Sequence, residues 1–279
     1  MPQFSLLMNR RAPSHCPDLY YTIDGLKRKP VILFLHGFMG DSGDWDGIID
    51  ELKGNFRCMA VDLPGHGKSI GLSSECYTID ASVNGLANIL DENQIERSIV
   101  VGYSMGARVA LKFAQKYPAR CTGVMLESAT PGIEDEAERE RRRTEDETRS
   151  RAIRSDFDGF LNEWYQQPLF ASLGNREDLV KRLIERRRKN NAGELAHAMC
   201  GIGTGSMVPM WERLGELSVC TLALTGELDS KYLYILKEMK KRAPQLRVVA
   251  VPGAGHIVHL ERPVLYCSML LSFAHNFNS

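Results

Sequence analysis

Gly102-Tyr103-Ser104-Met105-Gly106 sets a serine between two glycines, each two positions away. An apolar run, residues 98–101, precedes it, and a helical pattern, residues 105–117, opens behind it. In that setting a G-x-S-x-G pentapeptide forms a nucleophile elbow, a strained turn that presents the serine hydroxyl at the top of the sheet. The plainer alternative is an ordinary strand–helix turn that contains a serine. A serine of normal acidity is a weak nucleophile or base, so the chemical reading requires partners. They follow such an elbow in the order Asp or Glu, then His. Asp229, in Gly226-Glu227-Leu228-Asp229, and His256, in Gly253-Ala254-Gly255-His256, each come after an apolar run, residues 219–225 and 246–251. Both then fall at C-terminal strand ends, where open α/β sheets gather their sites. His256 would take the serine proton; Asp229 would hold the imidazole tautomer and stabilise its cation. Glu227 and His259 stay open as the alternative acid and base.

Leu35-His36-Gly37-Phe38 ends another apolar run, residues 31–35. A loop there supplies one oxyanion-hole amide, and the residue after the nucleophile supplies the second. The expected donors are the backbone N–H groups of Phe38 and Met105, and His36 reads as a structural hydrogen-bonder. Asp62-Leu63-Pro64-Gly65-His66-Gly67-Lys68-Ser69 lacks the G-x-x-x-x-G-K-[ST] spacing of a phosphate loop and reads as a structural turn.

These residues need a scaffold of alternating strands and helices. Strand candidates are residues 31–35, 57–61, 98–101, 123–127, 219–225 and 246–251, with 19–23 as an added edge strand. Helical patterns lie at 79–91, 105–117, 231–242 and 262–277. Near-continuous Val, Ile and Leu in the strands suits a mostly parallel sheet covered on both faces. Residues 131–210 break the alternation and carry helical patterns at 135–153, 156–164 and 176–190. The expected organisation is a core of residues 1–130 and 211–279 with a helical cap, 131–210, over the strand ends. The charged stretch 134–154 has acid–Arg pairs four apart, such as Glu138/Arg142 and Glu145/Arg149, which suits a solvated helix with weak ion pairs. The sharper reading turns one or two of these arginines inward onto an anionic ligand.

Composition narrows the function. The 279 residues carry 35 Lys+Arg and 35 Asp+Glu, so there is no basic excess of the kind nucleic-acid binders show. No apolar run approaches the ~20 residues of a membrane span. Residues 1–13 hold Arg10 and Arg11 but no apolar stretch after them, so no secretory signal is expected. Seven cysteines, scattered and never spaced as Cys-x-x-Cys, indicate neither a disulfide framework nor a zinc site. A reducing cytoplasm is the expected compartment.

Leu35–Phe38, Asp62–Ser69, the elbow, Asp229 and His256 together resemble the α/β-hydrolase superfamily over nearly the whole length. That resemblance implies a mostly parallel central sheet flanked by helices, with a helical lid inserted after the sixth strand. Finer features are Arg108 one turn past the elbow serine, Ser128-Ala129-Thr130-Pro131-Gly132-Ile133, Trp164-Tyr165-Gln166-Gln167-Pro168-Leu169-Phe170-Ala171-Ser172, Arg187 before Asn190-Asn191, Gly203-Thr204-Gly205, and Asp229-Ser230-Lys231. With these the chain resembles the 2-succinyl-6-hydroxy-2,4-cyclohexadiene-1-carboxylate synthases of menaquinone and phylloquinone biosynthesis. The resemblance implies elimination of pyruvate from 2-succinyl-5-enolpyruvyl-6-hydroxy-3-cyclohexene-1-carboxylate, with no metal or organic cofactor. It implies a Ser–His pair acting as base, with charge developing toward the adjoining carboxylate. It implies a small-molecule tricarboxylate as the partner, held by Arg108, Arg142 and Arg187 with Tyr103 and Trp164, and no nucleic acid, membrane span or obligate protein partner. Arg187 lies in Arg186-Arg187-Arg188, which leaves its register open by one residue. Ala107 departs from members that carry a further glycine there. Arginine suits the task because its planar fork pairs bidentately with carboxylate.

The main rival is a serine carboxylesterase or thioesterase that works through an acyl-enzyme. Three arginines at one pocket distinguish the readings, since an apolar ester gains nothing from them. A second rival, a non-catalytic ligand receptor, would have no need of an intact Ser, Asp and His.

Overall fold

The computed structural model describes residues 19–174 and 176–277. The expectations for residues 1–13 and for Cys16 lie outside the described residues. Among the described residues seven strands form one sheet: β1 (Tyr21–Asp24), β2 (Val31–Leu35), β3 (Arg57–Val61), β4 (Ser98–Tyr103), β5 (Cys121–Glu127), β6 (Thr221–Gly226) and β7 (Arg247–Val251). Their spatial order is β1-β3-β2-β4-β5-β6-β7, with β1 antiparallel at one edge and every other pairing parallel. Strands β2, β3 and β4 are buried at every position, so their sequences are apolar without alternation.

Helices cover both faces. Around the sheet lie α1 (Asp46–Leu52), α2 (Ile79–Glu92) and α3 (Met105–Lys116). The connection from β5 to β6 carries α4 (Glu136–Ser155), α5 (Phe157–Trp164), α6 (Glu177–Arg187) and α7 (Ala192–Gly201). The chain then closes with α8 (Ser230–Arg242), the short α9 (Val258–Glu261) and α10 (Pro263–His275). Among the described residues the helical insertion follows the fifth strand rather than a sixth. Three of its helices, α4, α5 and α7, begin where side chains cap free amides. Asp135 accepts from Glu138 N–H, Asp156 from Gly159 N–H and Asn191 from Glu194 N–H. Ile153, Phe160, Leu161, Leu195 and Met199 form a small core of their own with Met39, which ties the insertion to the loop after β2.

Among the described residues three helices lay beyond the sequence patterns: α1, α7 and the four-residue α9. The cysteine expectation fails at one position. Cys76 is disulfide-bonded, while Cys58, Cys121, Cys200, Cys220 and Cys267 are free. Spacing along the chain does not reveal which cysteines meet in space. No helix among the described residues is long and apolar enough to cross a membrane.

The sheet and α3 approach closely at the elbow, and Gly106 permits it. A Cβ on Gly106 would collide with the Leu35 carbonyl oxygen and lie 2.6 Å from that of His36. Both atoms are backbone and cannot swing away. Gly106→Ala should therefore destabilise the fold by about 1–3 kcal/mol, the usual cost of overpacking. Thermal denaturation checks this: a melting temperature equal to that of the parent would contradict the packing described.

Candidate active site

Ser104 sits between the end of β4 and the first residue of α3, with φ 50° and ψ −105°. This is the left-handed region, which a non-glycine residue occupies at a cost of order 1–3 kcal/mol. The strain is held by neighbours. Ser104 N–H donates to the Glu127 carbonyl at 2.8 Å, and a side chain at Gly102 would run into the Gly106 backbone. The turn therefore presents the hydroxyl toward the space under the cap.

Asp229 and His256 reach that hydroxyl from the ends of β6 and β7. With hydrogen on Nδ1, His256 donates to Asp229 Oδ2 at 2.7 Å, and its Nε2 accepts from Ser104 Oγ at 3.1 Å. Both partners are buried. The other oxygen of Asp229 caps α8 by accepting from Tyr232 N–H at 3.2 Å. Tyr232 then folds its ring 4.6 Å from the His256 ring. The alternatives are committed elsewhere. Glu227 accepts from Gly253 N–H at 3.0 Å, on the surface. His259 holds Nδ1 2.9 Å from both oxygens of the buried Glu127. His36 accepts from Leu63 N–H at 2.9 Å through Nε2, and Asp62 accepts from Ser42 and Lys68 N–H groups, so both brace the turn.

Above Ser104 lies a cavity of about 380 Å³. Its wall includes Phe38, Ser104, Met105, Arg108, Arg142, Trp164 and Asp229. Among the described residues, the Phe38 and Met105 amides have no hydrogen-bond partner and are free to act as donors. The Phe38 ring lies 5.4 Å from that of Trp164, which closes the cavity from the cap.

The arginines differ in their surroundings. Arg108 is buried; its guanidinium donates to the Ile202 carbonyl at 2.5 Å and approaches Met207 Sδ at 3.6 Å. Among the described residues no carboxylate forms an ion pair with it. Burial pulls its pKa down from 12.5 to about 10, so it remains a cation at neutral pH. Arg142 donates to Asp146 Oδ1 at 2.7 Å, and Asp146 is buried behind it. Arg187 is elsewhere. It is buried in a bidentate pair with Asp44, at 2.6 and 2.7 Å, and does not line the cavity. The Asp44 charge keeps it protonated far above its ordinary range against the opposing effect of burial. Tyr103 also stands outside the cavity. Its ring packs 5.5 Å from His256 and 5.0 Å from His259, and against Gly37, where a side chain would strike it. It supports the loop that carries the Phe38 amide.

Of the charged and polar cavity residues, Arg149 was read in the sequence only as an ion-pair partner on a solvated helix, Lys231 only as part of a matched segment, and Tyr232 not at all. Arg149 had a signal, since it stands seven positions after Arg142 and so on the same helical face. Tyr232 had only its place three residues after Asp229. Among the described residues no group of three or more His, Cys, Asp or Glu side chains could hold a metal ion.

The cavity therefore places positive charge where a small anion would enter. An unpaired buried guanidinium is unfavourable until that anion arrives. Arg108→Met should keep the melting temperature of the ligand-free protein or raise it by a few degrees, about 1–2 kcal/mol, while activity falls. A loss of several degrees by calorimetry would instead mark Arg108 as a structural support.

The comparisons agree with this geometry. A family model described as the alpha/beta hydrolase fold matches residues 30–263. A Bacillus subtilis (strain 168) protein, provisionally named a 2-succinyl-6-hydroxy-2,4-cyclohexadiene-1-carboxylate synthase, is 35% identical over 253 residues, 90% of this chain and 92% of its own. The synthase of that name from Escherichia coli O1:K1 / APEC is 32% identical over 235 residues, 84% of this chain and 89% of its own. The solved structure of MenH from S. aureus superposes with a TM-score of 0.87 at 31% identity, covering 93% of this chain and 99% of that one. Several esterase structures share the fold at 17–24% identity. The chain belongs to the α/β-hydrolase superfamily and, within it, to the 2-succinyl-6-hydroxy-2,4-cyclohexadiene-1-carboxylate synthase family.

Proposed function

We propose that Ser104, His256 and Asp229 form the base of a pyruvate-eliminating synthase. The chain is a carbon–oxygen lyase that converts 2-succinyl-5-enolpyruvyl-6-hydroxy-3-cyclohexene-1-carboxylate into 2-succinyl-6-hydroxy-2,4-cyclohexadiene-1-carboxylate. The ring double bond of the substrate, at position 3, becomes a pair at positions 2 and 4. The proton lost is thus the one on C2, and the leaving group departs from C5. C2 bears the succinyl ketone, so the developing charge flows onto that ketone oxygen. This corrects the expectation that it moves toward the adjoining carboxylate.

The side chains divide the work. Ser104 passes its proton to His256 Nε2 as it takes the C2 proton, and Asp229 stabilises the imidazolium. The Phe38 and Met105 amides stabilise the enolate oxygen; a donor in such a place contributes about 2.7–4 kcal/mol at the barrier. Electrons return through the ring, the C5–O bond breaks, and enolpyruvate leaves to become pyruvate on protonation. Arg108 and Arg142 hold carboxylates, with Trp164 as the wall between the cap and the Phe38 loop. We place Arg187 one layer out: its pair with Asp44 locks α6 to the loop after β2 and so supports the roof.

The observation that carries this reading is the guanidinium of Arg108, in a cavity shared with a complete Ser–His–Asp chain. An esterase would use the same three residues, but an uncharged acyl group would leave Arg108 uncompensated. Pyruvate release, followed by coupled oxidation of a reduced nicotinamide, gives the test. The protein should release pyruvate from the cyclohexene substrate, and Ser104→Ala should lower kcat by about 10³-fold or more while product still binds. Covalent acylation of Ser104 by an activated ester, with no pyruvate from the cyclohexene, would favour the esterase.

A further inference from the structure

Arg149 follows Arg142 by seven residues on α4, so the two side chains leave the same face of the helix. That face turns to the cavity, and both residues line it together with Arg108. The Arg149 guanidinium carbon lies 5.7 Å from the centre of the Trp164 ring. Its acidic neighbours are on its own helix. Nη2 donates to Glu145 Oε1 at 2.5 Å, and Nη1 stands 3.7 Å from Asp146 Oδ1. Asp146 is already bound by Arg142 at 2.7 Å. Two carboxylates thus face two guanidiniums, and Arg108 is left with none. Burial and the Arg142 charge both lower the pKa of Arg149, as expected for a cation crowded by another. Arg187, by contrast, has both terminal nitrogens engaged by Asp44 and lies off the cavity.

We propose that Arg149, stacked on Trp164, is the third guanidinium that holds the tricarboxylate, in the role that the family resemblance gave to Arg187. The inference rests on the lyase reading above and assigns one of its contacts. Arg142 is the common neighbour, since its charge acts on both Arg108 and Arg149. The three cations therefore run from Arg108, one turn past Ser104, through Arg142 to Arg149 beneath the cap. Arg108 faces the reacting ring. Arg149 takes the carboxylate furthest from the breaking C–O bond, the terminal carboxylate of the succinyl arm. A contact that distant changes little between ground state and transition state, so it serves binding rather than the chemical step.

Steady-state pyruvate release by the full-length protein and two variants tests this. Arg149→Met should raise KM by about 10- to 100-fold, the range for one charge-assisted hydrogen-bonded contact, with kcat within a few fold. Glu145→Gln removes the partner that Arg149 has on the helix, yet should leave KM at or below the parent value because the guanidinium is freed. If the role of Arg149 were only to brace α4 through Glu145, both variants would behave alike, and that result overturns the proposal. An unchanged KM in Arg149→Met overturns it too. Should Arg149→Met fail to fold, Arg149→Lys keeps the charge but loses the planar fork, and an intermediate KM is expected; a parental KM overturns the proposal. The rise in melting temperature on adding product should shrink in parallel with the rise in KM. A parent protein that releases no pyruvate refutes the lyase reading itself, and a normal parent with normal Arg149 variants refutes only this contact.

Discussion

A guanidinium buried without a carboxylate is the constraint around which the site is arranged. Arg108 is covered by the cap and supported by one carbonyl and one thioether. Removing a charge from water costs several kcal/mol when nothing of opposite sign replaces the solvent. A protein that keeps such a group obtains something in return when a ligand arrives. Arg142 and Arg149 stand on the cap side against Asp146 and Glu145, so the charge left without a carboxylate is that of Arg108. Over the whole chain acidic and basic residues balance, so this local excess is a matter of placement and not of composition.

The catalytic chain is built under the same cover. Ser104 is held in a strained backbone conformation by the Glu127 carbonyl and by the glycines that let α3 close on the sheet. His256 is gripped on one edge by Asp229 and packed on its face by Tyr232. Tyr103 fills the space between the two histidine rings and the Gly37 backbone. Little can shift when charge develops, which is the condition under which fixed dipoles stabilise a transition state most. The fold is shared with esterases, and the difference lies in what the cap lowers onto the serine: arginines in place of an apolar acyl slot.

Much of this could be read along the chain because it is local. The strands announce themselves as unbroken apolar runs, and the elbow glycines are required by contacts within one turn. Asp229 and His256 follow strands in the order the fold demands. What stayed hidden depends on which side of a helix faces inward. In α4 every arginine has an acid nearby in sequence, so pairing alone left Arg142 and Arg149 alike, and only the family resemblance singled out Arg142. The Arg186–Arg188 run has three guanidiniums at successive angles; that Arg186 and Arg187 turn to Asp44 while Arg188 turns to Asp158 is decided by partners distant in sequence. The packing of α7, through Leu195 and Met199 against Met39 and Ile153, is likewise a product of distant contacts rather than of local pattern.

A structure of the Ser104→Ala protein with product bound shows whether the cavity arginines hold the ligand carboxylates. Carboxylate oxygens of the ligand should lie about 2.7–2.9 Å from the guanidinium nitrogens of Arg108 and Arg142, with the succinyl ketone oxygen turned toward the Phe38 and Met105 amides. Product lying in the cavity with its carboxylates in solvent and Arg108 still bound only to Ile202 would contradict that placement.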